Sequence, residues 1–205
     1  MSEKIIESNQ VNIAGEVVSD FSFSHEIFGE RFFVLSVSVK RLSGYCDVIP
    51  LMVSERLIDV NRDFRGEYIR VSGQFRSYNS HETCKNRLIL YVFAREIDDS
   101  EKYDDNHIFL DGFICKKPIY RKTPLGREIA DILLAVNRPY GKTDYIPCIL
   151  WGRNARFASC FKVGYQVEIN GRIQSREYNK KNENGEMETK IAYEVSTSKV
   201  TWSKD

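Results

Sequence analysis

The sequence lacks the features that mark membrane and secreted proteins. No apolar run approaches the roughly 18 residues that a membrane-spanning helix needs. The first ten residues, MSEKIIESNQ, are acidic where a secretory signal would be basic and then apolar. We therefore expect a cytoplasmic protein without a membrane partner.

Motifs for metal binding and catalysis are also missing. The five cysteines form no CxxC pair and are odd in number, so we expect them to be reduced, small hydrophobic side chains. The histidines His25, His81 and His107 are isolated and fit no HExxH pattern. The stretch GKTD at 141–144 lacks the preceding GxxxxGK of a phosphate-binding loop, and no nucleophile elbow is present. We expect neither an enzyme nor a cofactor.

What the sequence does contain is an internal repeat. Shifted by 97 positions, NQVNIAGEVV falls on NHIFLDGFIC. At this offset further identical residues coincide, among them Arg41 with Arg138, Asp47 with Asp144, Pro50 with Pro147 and Arg56 with Arg153. After one inserted residue, 65–77 falls on 163–175. The repeat predicts two copies of one domain at 1–97 and 106–205, with the acidic stretch 98–105 as their linker.

Each copy is predicted to be a five-stranded β domain. The second copy has five short alternating runs rich in β-branched and aromatic residues: HIFLDGFIC, REIADILLAV, DYIPCILWG, YQVEINGRI and TKIAYEVST. Residues 153–161, RNARFASCF, predict one short helix between the third and fourth strands, and the polar stretch 176–188 predicts an extended hairpin. This order predicts an all-β chain of two tandem five-stranded OB-fold barrels, each with one short helix between strands 3 and 4.

The third strand of the second copy, DYIPCILWG, has two different faces. Ile146, Cys148 and Leu150 point into the barrel, and the alternate residues share the outer face. Tyr145 and Trp151 stand on that outer face, roughly 20 Å apart at about 3.3 Å per residue. Every nucleobase has a π-face that stacks on such rings, at about 1–3 kcal/mol per base. The outer face is therefore a candidate surface for unpaired bases.

Four segments of the second copy occur together in the order of a known family: NHIFLDGFICKKPIYRKTPLG, IADILLAVNR, DYIPCILWGRNA and VGYQVEINGRIQSREY. Through them this copy resembles the bacterial single-stranded DNA-binding (SSB) proteins along nearly its whole length. In that family single-stranded DNA stacks on four aromatic positions, which fall here on Tyr140, Tyr145, Trp151 and Tyr178. The first copy has Ser43, Val48, Ser54 and Tyr78 at these places, with Tyr45 close to Ser43. The resemblance thus implies that the second copy does most of the stacking.

The charges are distributed in the same way. Residues 1–105 carry 13 Lys and Arg against 18 Asp and Glu, a net charge of −5, whereas residues 106–205 carry 17 against 11, a net charge of +6. Eight cations lie nearest the aromatic residues in sequence and are predicted to contact phosphates: Arg121, Lys122, Arg138, Arg153, Arg172, Arg176, Lys180 and Lys181.

The resemblance implies a nucleoid-associated protein that binds single-stranded DNA without strong sequence preference, in replication, recombination or repair. Stacking does not distinguish DNA from RNA. Since the family uses four such domains, we expect a homodimer. The alternative is an accessory protein, similar to replication-restart proteins, for which docking on replication or repair proteins comes first. Acidic residues of the first half are then the predicted partner surface: Glu3, Glu7, Asp98, Asp99 and Glu101.

The aromatic residues also have a purely structural interpretation. Exposed Tyr and Trp side chains on a strand could be buried between the two copies or in a homodimer interface, where aromatic residues are enriched. Trp202, in KVTWSKD, is expected to pack against the domain or to end a strand rather than to stack on bases.

Overall fold

The computed structural model describes residues 8–80, 87–181 and 185–202, which contain twelve strands joined in one continuous sheet. The first half contains β1 (Asn9–Val17), β2 (Ser22–Ile27), β3 (Glu30–Lys40), β4 (Cys46–Ser54), β5 (Tyr68–Ser80) and β6 (Arg87–Asp99). The second half contains β7 (Asp105–Ile114), β8 (Ile119–Lys122), β9 (Glu128–Arg138), a 3-10 helix (Pro139–Gly141), β10 (Lys142–Trp151), α1 (Arg153–Ala158), β11 (Gln166–Lys181) and β12 (Met187–Trp202).

Each half closes into a five-stranded barrel. In the first barrel the strands follow one another in the order β1-β3-β4-β6-β5, and β5 returns to β1. In the second barrel the order is β7-β9-β10-β12-β11, and β11 returns to β7. The all-β prediction of two tandem OB folds is confirmed. A sixth short strand in each half, β2 or β8, extends the sheet at its edge and was not predicted, because its mostly exposed side chains have no alternating pattern.

Alternating side chains build the core, as predicted. Leu134 and Val136 of β9 and Ile146 and Leu150 of β10 are completely buried, and Cys148 lies among them. β10 pairs with β9 from Lys142 to Trp151, so its even-numbered side chains from Asp144 onward face the barrel interior. The strand predicted from DYIPCILWG is therefore confirmed in both its extent and its orientation.

Among the described residues the short helix is present in the second barrel only, so its prediction for the first barrel is wrong. Helix α1 follows β10, whereas residues 55–67 of the first barrel form a series of turns. Asp59 accepts a hydrogen bond from the backbone N–H of Asn61, and Asp63 accepts one from the N–H of Arg65. Such local Asp–backbone bonds compete with helix formation, while the corresponding segment of the second barrel contains two buried alanines. None of the described residues forms a helix that is both long and apolar enough to cross a membrane.

The two barrels share one strand ladder. β1 and β7 pair antiparallel over six residues, from Asn9↔Leu110 to Ala14↔Asp105. Residues 100–104 connect β6 to β7, and β6 continues to Asp99, inside the predicted linker. The barrels are therefore joined through backbone hydrogen bonds as well as through the chain itself.

Two matching side-chain contacts flank this ladder. Asp144 of β10 accepts a hydrogen bond from the backbone N–H of Ser77 of β5 at 2.8 Å, and Asp47 of β4 accepts one from the N–H of Ser175 of β11 at 2.7 Å. Both aspartates are completely buried. Since Asp47 and Asp144 coincide in the repeat, as do Ser77 and Ser175, the two contacts are related by an approximate two-fold axis. We call the β1–β7 ladder and these two contacts the barrel interface.

Candidate nucleic-acid interface

Strand β10 presents two of the predicted aromatic residues to solvent. Tyr145 is 42% exposed and Trp151 is 38% exposed, although the side chains between them in sequence are largely buried. The strand is fixed on one side by β9 and on the other by β12, with which it pairs from Cys148 to Leu150. Both rings thus extend from a backbone that the sheet holds in place.

Trp151 is held by its ring edge. Its indole Nε1–H donates a hydrogen bond at 3.3 Å to the hydroxyl of Ser196 on β12. This bond orients the ring without using its π-face. Base stacking requires the face, so the geometry is compatible with a base on Trp151.

Tyr140 lies just before β10, and Tyr178 lies on β11, which β12 separates from β10. Tyr140 is in the 3-10 helix before β10, fully exposed, with φ of 65°, a left-handed conformation that is uncommon for a residue with a side chain. Tyr178 is on β11, where β11 and β12 pair as a hairpin out to Lys181↔Met187, and it is 36% exposed. The Arg176 guanidinium carbon lies 6.0 Å from the Tyr178 ring centroid.

These four residues form what we call the aromatic surface: Tyr140, Tyr145, Trp151 and Tyr178. Each ring is exposed in the chain, so the interpretation that the two copies bury them against each other is wrong. Trp202 behaves differently, because it stacks on Tyr165 with ring centroids 4.6 Å apart. Its prediction as a packing residue is confirmed.

Six of the eight predicted cations have exposed side chains: Arg121, Lys122, Arg153, Arg176, Lys180 and Lys181. Arg121 donates to Asp131 at 2.8 Å, and Arg176 lies 3.8 Å from Glu194. Ion pairs of such exposed arginines are weak, so these two side chains remain accessible to a phosphate.

Arg138 and Arg172 have partners in the barrel interface. Arg138 lies 3.0 Å from Asp144, and Arg172 lies 3.1 Å from Asp47, which Arg41 also contacts from the first barrel. The Arg138 side chain is only 21% exposed. Burial lowers the pKa of Arg172, and the nearby charge of Arg41 lowers it further. The role predicted for Arg138 and Arg172 at phosphates stays a prediction, and the structure gives both a structural contact as well.

The first barrel has filled its corresponding face with its own side chains. Ser54, at the place of Trp151, is buried and donates a hydrogen bond to Glu30 at 2.5 Å. Phe93 of β6 occupies the neighbouring strand position, and the Arg76 guanidinium carbon lies 3.8 Å from its ring centroid. Phe32 packs against the same ring at 6.0 Å. An aromatic ring is therefore present on this face, but protein groups already contact it.

The aromatic ring and the serine hydroxyl on this face lie on opposite members of the strand pair in the two barrels. β4 pairs with β6 at Met52↔Phe93, and β10 pairs with β12 at Ile149↔Ser196, so Phe93 and Ser196 occupy corresponding places. The second barrel has its ring on β10 and its serine on β12, whereas the first has its serine on β4 and its ring on β6. This exchange explains how the first barrel keeps a packed outer face without Trp.

Other predicted positions of the first half are accessible. Tyr45 is 74% exposed in the turn between β3 and β4, next to exposed Ser43. Of the acidic residues predicted to contact partners, Asp98, Asp99 and Glu101 are accessible to solvent. Glu3 and Glu7 lie outside the described residues.

Sequence reasoning missed the contribution of Ser77. Its hydroxyl accepts a hydrogen bond at 2.8 Å from the backbone N–H of Tyr145, across the barrel interface. The repeat contains the available signal. Arg41 and Asp47 are identical to Arg138 and Asp144 in the second copy. This identity holds although only the second copy has all four aromatic residues. Residues kept in both copies irrespective of stacking are expected to be structural.

Comparison with known proteins identifies the family and the fold. A model of the Single-strand binding protein family matches residues 105–201. The single-stranded DNA-binding protein of Oceanobacillus iheyensis is 36% identical over 80 residues, covering 36% of this chain and 50% of that protein. Single-stranded DNA-binding protein B of Bacillus subtilis is 36% identical over 87 residues, covering 39% of this chain and 75% of that protein. The chain spans about half the length of most curated relatives it matches.

The whole chain also resembles a solved structure. The wild-type single-stranded DNA binding protein from Thermus aquaticus superposes with a TM-score of 0.76 at 19% identity, covering 96% of this chain and 93% of that one. At this identity the likeness establishes the fold of both barrels. The match at 36% identity to a relative of which this chain covers 75% establishes the family as well. The chain belongs to the single-strand binding protein family.

Proposed function

We propose that this chain binds single-stranded DNA without strong sequence preference, in DNA replication, recombination or repair, and that the second barrel makes most of the contacts. The main support is the aromatic surface, whose four rings are exposed on β10, just before it and on the β11–β12 hairpin. Flat rings bind bases of any sequence. We propose a binding protein rather than an enzyme, in keeping with the names of its relatives.

The proposed roles follow from position. Bases stack on Tyr145 and Trp151 along β10, and Tyr140 and Tyr178 extend the surface at its ends. Exposed Lys122, Arg153, Lys180 and Lys181 have no ion pair among the described residues, so they are the cations best placed to neutralise phosphates. Arg121 and Arg176 join them by exchanging a carboxylate partner for a phosphate.

The test is a titration of the full chain with oligo-dT, followed by tryptophan fluorescence. We expect quenching and saturable binding, and poor competition by a duplex of equal length, because paired bases present no free face. An RNA oligonucleotide of the same length measures any preference between the two sugars. A duplex that binds as tightly as the single strand would contradict the proposed function.

We further propose a homodimer, which supplies the four barrels that the family resemblance implies. Sedimentation equilibrium of the full chain should give twice the 23.8 kDa of one chain. A mass equal to that of one chain at concentrations that saturate DNA would contradict the homodimer while leaving the DNA-binding proposal in place.

A further inference from the structure

The two side-chain contacts of the barrel interface have the same backbone arrangement. On one side, Tyr145 donates its N–H to the Ser77 hydroxyl at 2.8 Å. On the other side, Val48 donates its N–H to the Ser175 hydroxyl at 3.3 Å. In each case the preceding aspartate accepts the N–H of the same serine.

The side chains that these contacts present outward are very different. Tyr145 and Val48 are matched in the repeat, and the residue after each serine is Tyr78 on one side and Arg176 on the other. Tyr78 is therefore the counterpart of Arg176, and its predicted correspondence with Tyr178 is wrong, because the strand register matches Tyr178 with Ser80. Only the contact between β10 and β5 therefore brings exposed aromatic residues of both barrels together. Tyr78 is 56% exposed, on the outer face of β5.

Tyr78 lies close to the aromatic surface. Adjacent strand residues point to opposite faces, so Ser77 points toward Asp144 while Tyr78 points outward, opposite Ile89 of β6. A path of covalent bonds and one hydrogen bond runs from the Cα of Tyr145 through its N–H and the Ser77 hydroxyl to the Cα of Tyr78. With standard bond lengths this path places the two Cα atoms at most about 11 Å apart. Side chains on Cα atoms at this separation are within reach of neighbouring nucleotides in an extended strand.

The charges around this contact favour a phosphate. The Asp144 carboxylate has two guanidinium groups nearby, Arg138 at 3.0 Å from the second barrel and Arg76, whose charge acts on it from the first barrel. One carboxylate beside two guanidinium groups leaves an excess of positive charge. A strand leaving Tyr145 toward Tyr78 would pass this excess charge.

We propose that the first barrel completes the nucleic-acid site of the second barrel, with Tyr78 as a further stacking residue and Ser77 as a positioning residue that holds the backbone of Tyr145. This inference rests on the proposed function, and it assigns the first barrel a direct part in it.

The test of Tyr78 is a set of binding isotherms for the full chain with oligo-dT of increasing length. Tyr78→Ala should bind long oligonucleotides about 5- to 150-fold more weakly, which is the loss of one stacked base at 1–3 kcal/mol. The loss should vanish for short oligonucleotides that the aromatic surface of the second barrel covers alone. Tyr78→Phe should restore binding. Tyr103→Ala is the matched control, since Tyr103 is an exposed tyrosine in the connection between the barrels.

The test of Ser77 uses the approximate symmetry. Ser77→Ala and Ser175→Ala each remove the matching hydroxyl, and both should lower the melting temperature to a similar extent. Ser77→Ala alone should weaken oligo-dT binding, because Ser175 holds Val48 rather than an aromatic residue. Equal loss of affinity in both variants would overturn the positioning role of Ser77.

Failure of this inference is distinguishable from failure of the proposed function. If Trp151→Ala weakens binding and Tyr78→Ala does not at any oligonucleotide length, the role of Tyr78 is overturned and the proposed function stands. If the unmodified chain does not bind oligo-dT, both are overturned.

Discussion

A buried carboxylate beside guanidinium groups occurs on each side of the barrel interface. Asp47 contacts Arg41 and Arg172, and Asp144 contacts Arg138. Removing one member of a fully buried ion pair costs about 3–5 kcal/mol, because the remaining charge has no partner. Since the arginines here keep part of their side chains in solvent, a smaller loss is expected, about 1–3 kcal/mol for Asp144→Ala in urea unfolding.

Asp144 also makes stability depend on pH. Burial raises its pKa, against the opposing effects of the Ser77 N–H and of Arg138 and Arg76. Between the ordinary value of 3.8 and this raised pKa, the folded protein holds a proton that the unfolded chain has lost. The contribution of Asp144 to the unfolding free energy should therefore be complete below pH 3.8 and should decrease as pH rises through the folded pKa.

The measurement compares the unmodified chain with Asp144→Asn by urea unfolding at several pH values. The difference in unfolding free energy, unmodified minus variant, should fall as pH rises above the ordinary aspartate pKa and then remain constant. A difference that grows with pH in this range would mean that the interface stabilises the carboxylate more than burial destabilises it.

Trp151 should carry the fluorescence signal of binding. Trp151→Ala should weaken oligo-dT binding by about 1–3 kcal/mol, the contribution of one stacked base. Trp151→Phe keeps a ring and should bind more tightly than Trp151→Ala, while the quenching disappears. Trp202 stacks on Tyr165 and should not respond, so quenching that persists in Trp151→Phe would assign the signal to Trp202.

Among the elements, the β11–β12 pair depends on one glycine. The register of the pair shifts between Asn170 and Gly171, and a Cβ on Gly171 would overlap the carbonyl oxygen of Ser196. Gly171→Ala should therefore force the strands apart and cost about 1–3 kcal/mol in thermal or urea unfolding. It should also weaken oligo-dT binding, because Ser196 orients Trp151.

Gly126→Asn is the control for this prediction. Gly126 has φ of 76° in a turn, a Cβ at this position would meet no atom within 4 Å, and Asn tolerates that backbone conformation. The stability of this variant should be close to that of the unmodified chain. Equal stability of Gly171→Ala and Gly126→Asn would show that the strands move apart without cost.

The sequence predicts those elements whose environment is periodic. β10 is predictable because one face is buried and the other exposed, and the same alternation places Tyr145 and Trp151 outward. β8 escapes prediction because all its side chains are exposed. The helix of the first barrel is expected by analogy with α1, but Asp59 and Asp63 form local turns there.

The site is only partly predictable for a different reason. The hydrogen bond between Ser77 and Tyr145 joins residues 68 positions apart, and Ser77 alone resembles an ordinary surface residue. Pairing of Arg138 with Asp144 likewise depends on how the strands are arranged in space. Side-chain type and spacing predict which residues face solvent, whereas contacts between barrels follow from the three-dimensional arrangement.

For the whole molecule, the uneven charge makes a prediction about salt. The net charge is close to zero, but the second half carries the positive excess beside the aromatic surface. Log affinity for a single strand should fall linearly with log salt, with a slope of about −0.7 per phosphate neutralised. Lys180→Ala combined with Lys181→Ala should make the slope less steep by about 1.4. The control is Lys102→Ala, which removes a cation near Tyr68 in the first half and should leave the slope unchanged.

An unchanged slope in the double variant would show that these two lysines of the β11–β12 hairpin do not contact phosphates. Binding that does not depend on salt at all would exclude phosphate neutralisation by any of the predicted cations.

The β1–β7 ladder joins two barrels encoded by a single reading frame, and this has a consequence for how the protein can change. When identical subunits pair about a two-fold axis, every substitution appears on both sides of the contact at once. Here Tyr145 and Val48 are separate positions of one sequence, so a substitution at one of them leaves the other side of the barrel interface unchanged. The two sides of the barrel interface can therefore carry different side chains although their backbone arrangement is nearly symmetric.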